Sequence, residues 1–81
     1  MKDIKNMVEI INRGVNGYYV SNHLPCDDYV FYFEEKGNNT KHVEIADTIN
    51  DWDEVVSFEK RGDVSVEDIQ ALIKLFEREI L

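Results

Sequence analysis

Eighty-one residues make one domain, residues 1–81, and a chain this short buries only about 60% of the surface its unfolded form exposes. An apolar share of 43%, with 11% aromatic, excludes disorder but leaves little beyond one core, so a deep catalytic cleft is not expected. The net charge of −8, from 9 basic and 17 acidic side chains, repels nucleic acid and anionic membranes and favours a basic partner.

The chain opens with a helix. Asp3 is placed to cap it, Ile4, Met7, Val8 and Ile11 repeat at helical spacing, and Arg13 and Gly14 carry the stop signals. Strand chemistry follows over residues 17–22, where Tyr18, Tyr19 and Val20 suit a pleated surface. Residues 22–28, around the single proline Pro25, form a turn-like stretch. Residues 29–34 are the strongest strand, with Tyr29, Phe31 and Phe33 on one face and Val30 and Tyr32 on the other. Residues 35–39 carry turn chemistry, with Gly and Asn able to take positive φ. Residues 40–46 complete a hairpin, Val43 and Ile45 facing one way, His42 and Glu44 the other.

Residues 51–61 admit two readings. Val55, Val56, Ser57 and Phe58 suit a strand. The end signals favour a short helix: Asp51 and Glu54 have capping-box spacing, Lys60 and Arg61 suit a helix C-terminus, and Gly62 follows. The final helix runs from a Ser65–Asp68 cap pair through Ile69, Leu72, Ile73, Phe76 and Ile80. The expected fold is therefore α+β: a helix, a three-stranded antiparallel sheet and two helices, the helices packed on one sheet face. The other face is left open or met by a partner.

Cys26 is the only cysteine, which excludes an intrachain disulfide and points to a reducing, cytoplasmic setting. Residues 1–6 have no apolar run behind their lysines, so no signal peptide is expected, and no stretch approaches the roughly 20 apolar residues of a membrane span.

Chemistry-bearing groups are sparse. His23, Cys26, Asp27 and Asp28 are the densest cluster, and His42 is the one further His or Cys residue. Three such residues fall short of the four that a structural zinc site uses, and a polar loop around one buried cysteine is the simpler reading. A Cys26 thiolate with His23 as base lacks a supporting motif, and acidic neighbours oppose a lowered thiol pKa. Asp51, Asp53 and Glu54 resemble part of a calcium loop without its glycine. No phosphate loop and no basic patch is present. The expectation is a non-enzymatic protein with no catalytic residue, no metal and no cofactor.

Charge is the remaining signal. Residues 1–41 carry 5 basic and 6 acidic side chains, whereas residues 42–81 carry 4 and 11. Solubility alone accounts for such a surface; so does binding. The expected contact set is Glu44, Asp47, Asp51, Asp53, Glu54, Glu59, Asp63, Glu67 and Asp68, with Trp52 as an aromatic anchor.

In size, charge and element order, over residues 3–13, 18–46, 51–61 and 65–80, the chain resembles the small acidic inhibitors of the Cas9 nuclease made by phages and prophages, the anti-CRISPR proteins. No shared sequence motif carries individual residues over. The resemblance implies a decoy that occupies a nucleic-acid site on a basic nuclease through the acids of residues 44–68, and no direct contact with nucleic acid or membrane. The alternative is a regulatory or assembly module, antitoxin-like, that meets its partner through an apolar sheet face containing Tyr18, Val30 and Tyr32. Either is compatible with a monomer or a dimer.

Overall fold

Residues 2–81 are described in a computed structural model of the chain. In chain order it contains helix α1 (Lys2–Asn12), strands β1 (Gly17–Tyr19), β2 (Tyr29–Lys36) and β3 (Thr40–Asp47), a single 3-10 turn (Thr48–Asn50), strand β4 (Asp53–Arg61) and helix α2 (Val66–Ile80). The four strands form one sheet in the order β1-β2-β3-β4, each antiparallel to the next.

Alternation along the strands fixes which face meets the helices. Phe31 pairs with Ile45 and Phe33 with Val43, and the next strand adds Val56 and Phe58 to the same two rows. Ile4, Met7 and Ile11 of α1 and Ile69, Leu72 and Phe76 of α2 pack on that face, with Leu24 and Val64 closing the ends. Burial of the large apolar side chains supplies most of the stabilisation, and truncating Phe76 to Ala would cost about 3–5 kcal/mol. Tyr29 adds an edge-to-face contact to Phe76, ring centroids 4.9 Å apart.

The class α+β and the helix-covered sheet match the expectation; the number of strands does not. The sheet has four strands, and residues 51–61 supply the fourth strand instead of a helix. Val56, Phe58 and Lys60 point to the helix side while Ser57, Glu59 and Arg61 point away, a period of two that outweighs the end signals. The capping-box spacing of Asp51 and Glu54 is coincidental. Asp51 and Trp52 instead form a tight left-handed turn, at φ 58° and 59°, and the Glu54 carboxylate accepts from Ser57 Oγ at 2.8 Å.

Smaller differences have local causes. Asp3 lies inside the first turn of α1 and is not its cap; its carboxylate accepts from Tyr19 Oη (3.0 Å) and Ser21 Oγ (2.6 Å), pinning the start of the helix to the end of β1. Gly14 takes φ 80°, where a side chain would be strained, and ends α1 as expected. β1 covers three residues and stops at Tyr19. The β2–β3 turn uses Asn38 and Asn39 at positive φ. Ser65 caps α2 with a reciprocal Ser65–Asp68 capping box, at 3.2 and 2.8 Å. Ile80 is exposed and lies outside the core.

Two part-buried polar joints complete the frame. The Asn12 side chain clasps the backbone of Val64, donating to its carbonyl (3.0 Å) and accepting from its N–H (2.8 Å), and so ties the end of α1 to the approach to α2. Lys41, 2% exposed on the helix side, donates to Glu35 (3.0 Å) and Asn39 (2.8 Å).

Candidate functional site

Among the described residues, no helix covers the second face of the sheet. Register places Tyr18, Tyr32, Glu44 and Ser57 in one row across all four strands, and Glu34, His42 and Glu59 in the row beside it. Lys36, Thr40 and Arg61 make the row at one end, and Val30 and Ala46 lie towards the other.

The Val30 end is aromatic. Trp52, projected from the left-handed turn before β4, meets Tyr18 of β1 edge to face, centroids 5.5 Å apart at 79°. Two strands separate their parent elements, so this contact spans the β2–β3 pair, and Val30 and Ala46 beneath it are buried although no helix reaches them. The pair itself remains accessible, Trp52 at 45% and Tyr18 at 60%, with Val20 and Ile49 also exposed.

The rest of the face is acidic and centred on His42, which is only 8% exposed. Its Nδ1 lies 3.2 Å from Glu59 Oε2, and its Nε2 lies 2.8 Å from Glu44 Oε1 and 3.9 Å from Glu54 Oε1. Glu54 reaches this face because of a bulge. Ala46 pairs with Glu54 where Ile45 pairs with Val56, so Val55 is the extra residue and the alternation of β4 is shifted by one. Without it, Val55 would occupy the open face and Glu54 the other. Glu59 also accepts from Lys36 Nζ at 3.1 Å; that hydrogen bond, the lysine charge and the contact with His42 hold its carboxyl below the ordinary glutamate range. The same contact raises Lys36.

The ten residues expected to bind a partner therefore fall into three groups. Glu44, Glu54 and Glu59 converge on the open face around His42. Asp47, Asp51, Trp52 and Asp53 sit at the β3–β4 connection, where Asp47 caps the 3-10 turn by accepting from Ile49 N (3.2 Å) and Asn50 Nδ2 (2.7 Å). Asp63, Glu67 and Asp68 lie beyond the far end of β4, about 25 Å away for a nine-residue strand. Asp68 is occupied structurally: Lys60 donates to it at 2.8 Å, which lowers its pKa, and it completes the α2 cap. A single flat contact does not span all ten.

Sequence reasoning missed Glu34 and, although it set His42 and Glu44 on one strand face, did not bring Glu54 and Glu59 to them. Cys26 is exposed, not buried. His23 lines a shallow groove with Ile4, Gln70, Ile73, Lys74 and Glu77, and His42 lies on the opposite face of the sheet, among glutamates. The spacing His42-x-Glu44 on one strand is the signal that would have found the cluster. No helix among the described residues is long and apolar enough to cross a membrane. No protein family, curated protein or solved structure matches the chain.

Proposed function

We propose that this chain is a non-enzymatic binding protein whose open sheet face docks on a basic surface of a protein that otherwise holds nucleic acid, so that the chain acts as an inhibitor or decoy. The observation that carries the reading is the convergence of Glu44, Glu54 and Glu59, with Glu34, on one uncovered face. The cations on that face are Lys36, Arg61 and, when protonated, His42, so its field is negative and would steer a basic partner. Trp52 and Tyr18, accessible at its edge, add large apolar area of the kind that dominates binding energy. The element order observed, one helix, four strands and one helix, differs from that on which the resemblance to the Cas9 inhibitors rests, so the partner is defined by its chemistry: a basic nucleic-acid-binding protein, a nuclease among them.

The test is capture from bacterial lysate on the immobilised chain, with chelator present, eluted in rising salt. The expected partner is a nucleic-acid-binding protein released by moderate salt and displaced by duplex DNA, and no longer captured by the Glu34→Gln, Glu54→Gln, Glu59→Gln variant. The accessibility of Tyr18, Val20 and Trp52 favours a second reading, a regulatory or assembly module held by the aromatic end. Capture that survives high salt and the glutamate changes, but is lost with Trp52→Ala, would replace the first reading with the second.

A further inference from the structure

Both ring nitrogens of His42 are aimed at carboxylates. A neutral imidazole carries a single N–H, yet both ring nitrogens face carboxylate oxygens, Nδ1 at 3.2 Å from Glu59 and Nε2 at 2.8 Å from Glu44. If Nδ1–H donates to Glu59, the Nε2 lone pair points at Glu44 Oε1 and Glu54 Oε1. The side chain is about nine-tenths buried, so water does not readily relieve the opposition.

We propose that this face binds a divalent first-row transition ion of the zinc class through His42 Nε2 and the carboxylates of Glu44 and Glu54, with Glu59 orienting the imidazole through Nδ1. The three ligand atoms lie within 4.8 Å of one another. Ligands about 2.1 Å from a tetrahedral ion stand about 3.4 Å apart, so closure needs the widest pair to draw in by up to roughly 1.4 Å. Glu54 can make it: its side chain is 49% exposed and accepts a hydrogen bond from Ser57 besides its approach to His42. Carboxylate–imidazole–metal order is the common outer-shell arrangement, and Lys36 in turn fixes Glu59 at 3.1 Å. One nitrogen and two carboxylate oxygens suit zinc, cobalt or nickel; magnesium and calcium prefer all-oxygen sites. Three protein ligands leave the outward positions to water or to a partner's side chain.

Isothermal titration of the isolated chain with Zn2+, and separately with Mg2+, tests the site, with 15N chemical shifts of the histidine rings as a second reading. One Zn2+ per chain is expected, at least 100-fold tighter than Mg2+, with the Nε2 signal of His42 moving and that of His23 unchanged. Glu54→Gln keeps the His42–Glu44–Glu59 contacts and should weaken Zn2+ at least 10-fold with thermal stability in chelator unchanged, whereas Asp63→Asn should leave Zn2+ binding as it is. Failure to bind Zn2+ at 1:1, binding equal to that of Mg2+, insensitivity to Glu54→Gln, or a signal that moves at His23 would each overturn the proposal.

Discussion

The clasp between Asn12 and Val64 gives the sharpest test of how the two helices are joined. Asn12→Ala removes both side-chain hydrogen bonds, of 3.0 and 2.8 Å, and leaves the N–H and the carbonyl of a buried residue without partners. Each unsatisfied buried group costs about 1–3 kcal/mol, so the pair should cost about 3 kcal/mol, towards the low end because Asn12 is half-buried and water reaches part of the site. A domain of this length has about 4–12 kcal/mol in total. With a urea slope of about 1 kcal/mol per molar for a small chain, the midpoint should fall by about 2–3 M with the slope unchanged. Asn12→Asp separates the two bonds: it keeps the acceptor for Val64 N–H but turns a carboxylate oxygen towards the Val64 carbonyl, so it should be nearly as damaging at neutral pH and milder in acid. Urea unfolding followed by circular dichroism measures both. A midpoint shift below about 0.5 M for Asn12→Ala would show that the clasp contributes little and that α1 is held by its apolar face alone.

Acid should act through Asp3. The hydrogen bond from Ser21, with that from Tyr19, lowers its folded pKa despite partial burial, so the ionised form favours the fold. Its contribution is present above the unfolded value of about 3.9 and is lost as pH falls through the lower folded value. Asp3→Asn should therefore be less stable at neutral pH and lose less on acidification; superimposable stability–pH profiles for the two proteins would refute this. Trp52→Ala should keep the fold and lose about 1 kcal/mol, the worth of an edge-to-face aromatic pair, while the amides of Val30 and Ala46 exchange faster with solvent. Unchanged exchange at those two amides would mean that Trp52 does not cover them.

Much of the fold was legible because local signals agreed. Ile69, Leu72 and Phe76 behind a Ser65–Asp68 box could only be a helix with one buried stripe. Asn38 and Asn39 marked a turn between two strands of matched length. Residues 51–61 misled because two patterns were superposed there. The carboxylates and the Lys60–Arg61 pair mimic helix ends, while Val55, Val56 and Phe58 carry the strand, and the left-handed pair that opens it contains no glycine. That one element also hid the site. His42 and Glu44 were correctly set on a common face, but Glu54 and Glu59 join them only through strand pairing, and Glu54 only through a bulge that no sequence pattern announces.

The order of strands in the sheet, identical to their order in the chain, bears on how the molecule assembles. Each strand finds its neighbour across a connection of nine, three or five residues, so little loop-closure entropy opposes any single step and the sheet can zip from its central hairpin outwards. The distant closure, Asn12 onto Val64 across 52 residues, carries the larger loop-closure cost and is expected late in folding. An interaction made that late holds the native state against opening and does little to speed its formation. Asn12→Ala should therefore raise the unfolding rate and leave the folding rate nearly unchanged, whereas a change in the β2–β3 turn should act mainly on the folding rate, and stopped-flow measurement of both rates checks this.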